Sequence, residues 1–182
     1  MASVTWTKIA RRIRVPLGFA FAALYLWLAA PTAASMLIGS ALVILGLATR
    51  ALASGHVQKN EQLTTTGPYA YTRNPLYLGS LILAVGFAIS ARSWWIGAGL
   101  ILIFLAIYLP VIRGEEKFLG EHFSGFAEYA CQVPRLVPRL SSPGAGRGTF
   151  SWELYWKHRE YNATLGAMAM MAALAAKLFW KR

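Results

Sequence analysis

Five apolar stretches, each close to the length that an α-helix needs to cross a bilayer, divide this sequence. A helix needs about 20 mostly apolar residues to cross, because each residue rises only about 1.5 Å. Within a bilayer every backbone polar group must be bonded inside the protein, so such a chain is predicted to be an all-α, multi-pass helical bundle. We predict one membrane domain over residues 1–182, with about four or five transmembrane helices. The apolar stretches are residues 15–30, 36–53, 75–90, 94–112 and 163–180.

The composition agrees with a membrane protein and argues against other classes. The chain is 57% apolar, and its 18 Lys and Arg residues outnumber 7 acidic residues, all of them Glu. The basic residues lie at the ends of the apolar stretches, which is typical of membrane anchors and not of a nucleic-acid surface. The single cysteine, Cys131, excludes an intrachain disulfide and a Cys-rich metal site. We therefore predict a membrane partner, no nucleic acid and no metal.

The polar segments predict an orientation. Basic residues cluster before residue 15, at 50–73 and at 113–139, whereas Arg92 stands alone on the other side if there are four spans. By the positive-inside rule the polar stretches 54–74 and 113–139 face the cytoplasm. Residues 113–132 have the pattern of an amphipathic surface helix and residues 141–148 that of a linker. Two questions stay open: whether residues 15–30 are a cleaved signal, and whether residues 163–180 cross the membrane or lie flat.

The first segment with chemical character is residues 67–79. Gly67-Pro68 predicts a turn, and Asn74-Pro75 predicts a helix start, with Asn74 as N-cap and Pro75 at the first helical position. The free N–H groups of a helix N-terminus attract an anion such as an amino-acid carboxylate. Aromatic faces at the same end can hold a cation such as a sulfonium, or anchor the chain at the interface. The aromatic residues there are Tyr69, Tyr71 and Tyr77.

The second such segment begins where the fourth apolar stretch ends. Arg113 is followed by the adjacent carboxylates Glu115 and Glu116. Carboxylates at the point where a membrane helix emerges are costly unless they are solvated or used. A solvated helix face and a binding site are therefore the two interpretations of this pair.

Together the two segments resemble the superfamily of isoprenylcysteine carboxyl methyltransferases and phospholipid methyltransferases, as a bacterial-type member. Residues 67–77 are similar to its Gly-Pro-Tyr-x-x-x-Arg-His/Asn-Pro-x-Tyr motif, with Asn74 where the prenylcysteine enzymes have His. Residues 115–134 are similar to its Glu-Glu-x-x-Leu-x-x-x-Phe…Tyr-x-x-x-Val-Pro motif, and residues 55–61 to the polar lead-in of bacterial members. The resemblance extends over residues 36–138.

The resemblance implies a helical membrane enzyme that binds S-adenosyl-L-methionine and methylates a lipophilic acceptor. The acceptor is expected to be the carboxylate of a prenylcysteine-like molecule or a phospholipid amine, reached from a bacterial inner membrane with the site facing the cytoplasm. Arg113 lies near a substrate-contacting arginine of the family, and Glu116 is the nearest candidate base for an amine; these two are the expected catalytic residues. The expected cofactor-binding residues are Gln62, Leu63, Thr64, Tyr69, Asn74, Pro75, Leu76, Tyr77 and Glu115.

Two other functions are compatible with a basic, helical membrane protein. A membrane reductase of the sterol-reductase type would bind NADPH through arginines such as Arg113, Arg135 and Arg139. A non-enzymatic membrane scaffold would need no site at all. The glycine-rich residues 144–148 imitate a phosphate loop, but no apolar strand precedes them, so a linker is predicted. The sequence leaves open which acceptor is used and which oligomeric state the protein adopts.

Overall fold

A computed structural model describes residues 22–58, 62–141 and 148–180 of the chain. Residues 15–21 of the first apolar stretch, residues 59–61 of the polar lead-in and residues 142–147 of the predicted linker lie outside the described residues. Over the described ranges the regular structure is entirely helical. In chain order the helices are α1 (22–28), α2 (Ala33–Ser54), a 3-10 turn (Gly67–Ala70), α3 (Pro75–Ala91), α4 (Trp94–Ile103), a π-helical turn (Phe104–Tyr108), α5 (Leu109–His122), α6 (Phe126–Gln132), α7 (Trp152–Lys157) and α8 (Tyr161–Trp180).

Three of these helical segments are long and apolar enough to cross a membrane. They are α2, the continuous helix from Trp94 to His122, and α8, while α3 is apolar but shorter. Many large apolar side chains on these helices are exposed, as lipid-facing residues of a membrane protein are. The protein is thus an all-α integral membrane bundle, which confirms the predicted fold class.

Helices α2 and α3 form a tightly packed antiparallel pair because glycines line their contact. A Cβ atom built on Gly39 would lie 2.6 Å from the carbonyl oxygen of Gly86 and 1.9 Å from the hydroxyl of Ser90. One built on Gly46 would lie 2.8 Å from the carbonyl oxygen of Gly79. Small residues let membrane helices approach closely, and van der Waals packing then replaces the absent hydrophobic driving force.

The bundle has two ends with different chemistry. The end that carries both sequence motifs, called the motif end, includes Ser54, Pro75 and Glu115. Helix α8 also starts there, and Glu160, which precedes it, is paired with Arg50 of α2. At the opposite end the amine of Lys177 donates to the carbonyl oxygens of residues 26 and 27, where α1 ends. A cation at a helix C-terminus satisfies the last carbonyls and complements the helix dipole. Helix α8 therefore lies along the full length of the bundle.

The structure differs from the sequence interpretation around residue 112. The helix that starts at Trp94 continues to His122, so the expected surface helix over 113–132 is divided between α5 and α6. A π-helical turn ends at Tyr108, two residues before Pro110, and the N–H of Leu109 donates to the carbonyl of Phe104. This wider turn accommodates the missing N–H and the ring of Pro110, so the proline does not end the helix.

Candidate cofactor site

The segment 133–139 has a non-helical conformation, lies against residues 70–74 and joins the two sequence motifs. The backbone N–H of Arg73 donates to the carbonyl of Pro134 at 2.9 Å, and that of Arg139 donates to the carbonyl of Tyr71 at 3.0 Å. The hydroxyl of Thr72 donates to the carbonyl of Leu136 at 3.1 Å. A residue before proline prefers an extended backbone, so the two Val-Pro pairs favour this conformation. The segment provides carbonyl acceptors directly beside the start of α3.

Glu116 is the centre of a buried polar cluster. Its side chain is only 10% exposed, and Oε2 accepts from Nε of Arg135 at 2.8 Å. Oε1 accepts from Nδ2 of Asn74 at 3.1 Å and lies 3.5 Å from Nε of Arg73. A buried carboxylate is tolerated only when charges and donors surround it, and two arginines and an amide do so here. Glu116 is therefore not a residue of a solvated helix face.

Asn74 occupies the N-cap position of α3 but does not cap the helix. Its Nδ2 donates instead to Glu116 and to the carbonyl of Arg135 at 2.9 Å. Beside it, Nε of Arg73 is buried and has no hydrogen-bond partner. The first turn of α3 thus keeps N–H groups that its own N-cap side chain does not satisfy. These donors and the guanidinium of Arg73 create positive potential at the start of α3.

Glu115 contributes a second carboxylate, on a different face of α5. Its Oε1 accepts a hydrogen bond of 2.8 Å from the hydroxyl of Tyr77 on α3. The ring of Tyr77 meets Tyr108 edge-on at 5.8 Å, and Tyr108 stacks on Phe104 at 5.6 Å. A carboxylate and a row of aromatic rings therefore lie together at the motif end. This combination suits a positively charged ligand or one with hydroxyl donors.

Tyr69 lies buried in the 3-10 turn that precedes α3. Its carbonyl accepts a hydrogen bond of 2.7 Å from the hydroxyl of Tyr129. Burial raises the pKa of Tyr69 well above its usual value, and the nearby Tyr129 and Glu115 raise it further. Gly67 begins the turn at φ +58, and a Cβ there would lie 2.4 Å from the ring of His56. Only glycine fits this position, because both its backbone angle and its surroundings exclude a side chain.

The structure brings some of the predicted site residues together and separates others. Tyr69, Asn74, Pro75, Tyr77, Glu115 and Glu116 gather around the start of α3, and Leu76 lies in its first turn. Arg113 is exposed and lies about 200° around α5 from Glu115. Gln62 is exposed as well. The other two predicted contacts have structural partners instead. Leu63 packs against the cluster of Phe126, Tyr129 and Val133. The hydroxyl of Thr64 accepts a hydrogen bond from the N–H of Gln58.

Sequence reasoning missed the role of Arg135. The sequence suggested this arginine only as a contact in the nicotinamide alternative. Prolines at positions 134 and 138 predict a non-helical segment around Arg135, and the side chains of such a segment can reach a neighbouring part of the chain. That signal, together with a Glu-Glu pair needing a counter-charge, could have predicted the ion pair with Glu116.

The comparison with protein families places the chain in a known family. The model of the phospholipid methyltransferase family matches residues 33–125 of the 182-residue chain. The chain therefore belongs to the phospholipid methyltransferase family, and the resemblance based on the two motifs is confirmed.

Three curated proteins are similar in sequence to parts of the chain. The cobalt-zinc-cadmium resistance protein CzcN of Cupriavidus metallidurans is 40% identical over 98 residues, which are 54% of this chain and 44% of that protein. The nickel-cobalt-cadmium resistance protein NccN of Alcaligenes xylosoxydans xylosoxydans is 39% identical over 84 residues, 46% of this chain and 39% of that protein. The protein-S-isoprenylcysteine O-methyltransferase of Saccharomyces cerevisiae is 32% identical over 114 residues, 56% of this chain and 48% of that enzyme.

The chain thus spans less than half the length of these curated relatives. No solved structure matches the chain significantly. Two of the relatives have names that refer to metal resistance. Over residues 22–58, 62–141 and 148–180, no group of three or more His, Cys, Asp or Glu side chains is placed to hold a metal ion.

Proposed function

We propose that this protein is an S-adenosyl-L-methionine-dependent methyltransferase that acts on a lipophilic acceptor at the membrane surface. One observation carries the proposal: the hydrogen bonds Asn74–Glu116 and Tyr77–Glu115 bring both sequence motifs to the start of α3. A solvated helix face would not bury Glu116 against three side chains from elsewhere in the chain. Membership of the phospholipid methyltransferase family supports the same conclusion.

The residues present fit the charges of this cofactor. Its carboxylate suits the uncapped start of α3 and the guanidinium of Arg73, whose buried Nε has no other hydrogen-bond partner. Its ribose hydroxyls or its ammonium group suit Glu115, which accepts from Tyr77. Its sulfonium suits the aromatic faces of Tyr77 and Tyr108. Tyr69 is proposed to contact the cofactor from the preceding turn.

When bound, S-adenosyl-L-methionine supplies a methyl group that is already activated for displacement. The protein then contributes orientation and exclusion of water rather than a covalent intermediate. A carboxylate acceptor needs no base, whereas an amine acceptor must lose a proton, and Glu116 is the proposed base. Both Glu116 oxygens already accept hydrogen bonds, so proton acceptance requires one of those bonds to open. The proposed substrate contact of Arg113 rests on the resemblance alone.

We further propose that the motif end faces the cytoplasm of a bacterial cell, across the inner membrane. Among the described residues, basic side chains are more numerous at this end than at the opposite end, where Arg92 and Lys177 lie. The positive-inside rule assigns the more basic end to the cytoplasm. A cytoplasmic site would meet the soluble cofactor there, while the acceptor would arrive through the bilayer. The basic residues at the motif end include Arg50, Arg73, Arg113, Lys117, Arg135, Arg139, Lys157 and Arg159.

Equilibrium binding of S-adenosyl-L-homocysteine to the detergent-purified protein tests the proposal. We expect micromolar affinity, about −8 kcal/mol, and no comparable binding of NADPH. Transfer of a labelled methyl group from the cofactor to lipid in vesicles would then identify the acceptor class. Absence of homocysteine-ligand binding at millimolar concentration, in a protein with a cooperative unfolding transition, would contradict the proposal.

A further inference from the structure

The C-terminal helix α8, which lies beyond the family match, closes an unassigned polar cluster near the motif end. The guanidinium of Arg50 donates through Nε to Glu160 at 2.5 Å and through NH1 to Ser80 at 2.5 Å. Glu160 is only 8% exposed. The Arg50 side chain crosses α3 where Gly79 lacks a side chain, since a Cβ there would lie 2.6 Å from Cγ of Arg50. A buried ion pair in a membrane bundle is more often part of a functional site than a purely structural contact.

About one helical turn along α3 from Ser80, an apolar cleft of about 270 Å³ opens between α3, α4 and α8, and Tyr25 of α1 also lines it. Asn162, two residues after Glu160, lies at its polar rim. Its walls include Leu83, Phe87, Leu100 and Met170. On the α8 side, small residues form the wall between Asn162 and Met170; among them is Gly166, around which a Cβ would find no atom within 4 Å. The cleft therefore exists because α8 has small side chains along this face.

The polar cluster links the cleft to the proposed cofactor site. Ser80 lies one helical turn after Tyr77, and Leu83 lies one turn after Ser80, so they form neighbouring positions along α3. Glu160 is close enough to Tyr69 for its charge to add to the rise of the Tyr69 pKa caused mainly by burial. The order along the bundle is thus the cofactor residues, the polar cluster and then the apolar cleft. An amphiphilic molecule has the same order of polarity.

A larger groove of about 530 Å³ runs between α3 and α4, but its polar residues lie at the opposite end of the bundle. Its polar residues, Arg92 and Ser93, lie at the far end of α3, about 25 Å along the helix from Pro75. Leu81 and Ile101 line its other parts. This groove offers no polar group near the carboxylates of the motif end. It is therefore less suited to hold an acceptor whose reacting end must reach them.

We propose that the cleft between α3, α4 and α8 binds the apolar chain of the methyl acceptor, with the Arg50–Ser80–Glu160 cluster and Asn162 contacting its polar end. The acceptor is thereby an amphiphile whose apolar part enters the cleft, and α8 determines its specificity. This inference rests on the proposed methyltransferase function, because it uses the site at the start of α3 as the place of reaction.

Photolabelling in phosphatidylcholine vesicles tests the inference with a defined probe, palmitic acid carrying a diazirine near its methyl end. We expect the label on residues 163–170 and 83–87. Gly166→Leu fills the cleft and should lower this labelling about tenfold or more, because chain methylenes lose their buried contacts. Ala163→Leu narrows the cleft one turn away and should act in the same direction. Gly97→Leu, which fills the larger groove, and Gly99→Leu, at an open position outside both, are the matched controls.

Binding of S-adenosyl-L-homocysteine by all four variants separates this inference from the proposed function. Unchanged cofactor affinity with a selective loss of label in Gly166→Leu and Ala163→Leu supports the cleft. Labelling that survives both variants, or that falls only in Gly97→Leu, overturns the inference. Uniform labelling of all lipid-facing helices would indicate annular lipid only, and this result also overturns the inference. Cofactor binding is measured separately from labelling. If the unaltered protein fails to bind the cofactor analogue, that result contradicts the proposed function.

Discussion

Asn74 donates a hydrogen bond of 3.1 Å to Glu116, although it stands at a helix start, where asparagine ordinarily bonds to its own helix. The amide thereby gives up a local bond and joins two segments that are 42 residues apart. Its second proton bonds to the carbonyl of Arg135. The result is a rigid junction between the start of α3 and helix α5, with the uncapped N–H groups of α3 beside it.

The two adjacent glutamates are expected to respond differently to neutralisation. Glu116→Gln removes the charge that compensates Arg73 and Arg135, so the free energy of unfolding should fall by about 1.5–3 kcal/mol. Glu115→Gln changes only the bond to Tyr77 and should leave the unfolding temperature close to that of the unaltered protein. Its effect should appear as cofactor affinity lowered by about tenfold or more. Thermal unfolding and ligand titration, performed on both variants, measure the two effects separately.

Two other glutamates provide the matched controls for this pair. Glu121 lies further along α5 in an exposed pair with Lys117 at 3.8 Å, and Glu128 lies on α6. An exposed pair of this kind contributes little, so Glu121→Gln and Glu128→Gln should alter neither stability nor affinity appreciably. If all four variants behave alike, neither Glu115 nor Glu116 belongs to a cofactor site.

The buried tyrosines predict a loss of stability in alkali. Burial raises the pKa of Tyr69 and of Tyr129 above the usual value of about 10. The folded protein therefore holds these protons more tightly than the unfolded chain, and the stability they maintain below pH 10 is lost as the pH rises above it. Tyr69→Phe and Tyr129→Phe should flatten the decline of the unfolding temperature above pH 10. Tyr71→Phe, at an exposed position, is the control, and an equal decline in all three variants would contradict the assignment.

The helical membrane class was predictable because hydrophobic length is a local property of the sequence. The α2–α3 contact was harder to predict, because the packing role of Gly39 and Gly86 becomes visible only when the two helices lie side by side. The π-helical turn before Pro110 could not be foreseen, because such a turn depends on the packing around it and leaves no composition signal.

Some residues of the candidate site could be predicted from the sequence, but the hydrogen bonds between them could not. The motifs located Asn74, Tyr77 and the glutamate pair, yet standard capping rules assigned the Asn74 side chain to its own helix. The structure turns it towards Glu116 because Arg73 and Arg135 bring that carboxylate into the interior. The contact of Glu160 with Arg50 joins residues 110 positions apart, and no periodicity in the sequence indicates such a pair.

The glycine contact of α2 and α3 predicts a sharp positional effect. Gly39→Leu would drive a side chain into the backbone of Gly86 and the hydroxyl of Ser90, so the helices must separate. Overpacking of this kind typically costs about 1–3 kcal/mol, and separation of α3 would also displace the start of the candidate site. Gly99→Leu, at a position with open space around it, should be tolerated. Thermal unfolding in detergent decides between the outcomes, and equal stability of the two variants would refute the close contact.

Cysteine labelling tests the proposed orientation and the path of α8 together. In a Cys131→Ser background, Thr65→Cys and Glu153→Cys place an exposed thiol at the motif end, whereas Arg92→Cys places one at the opposite end. With the motif end in the cytoplasm, a membrane-impermeant maleimide should label only Arg92→Cys in intact cells, and all three after permeabilisation. Trp180→Cys, at the exposed end of α8 near α1, should behave like Arg92→Cys because α8 runs the length of the bundle. Labelling of Thr65→Cys in intact cells would reverse the orientation, and protection of Trp180→Cys alongside labelling of Arg92→Cys would mean that α8 does not cross the membrane.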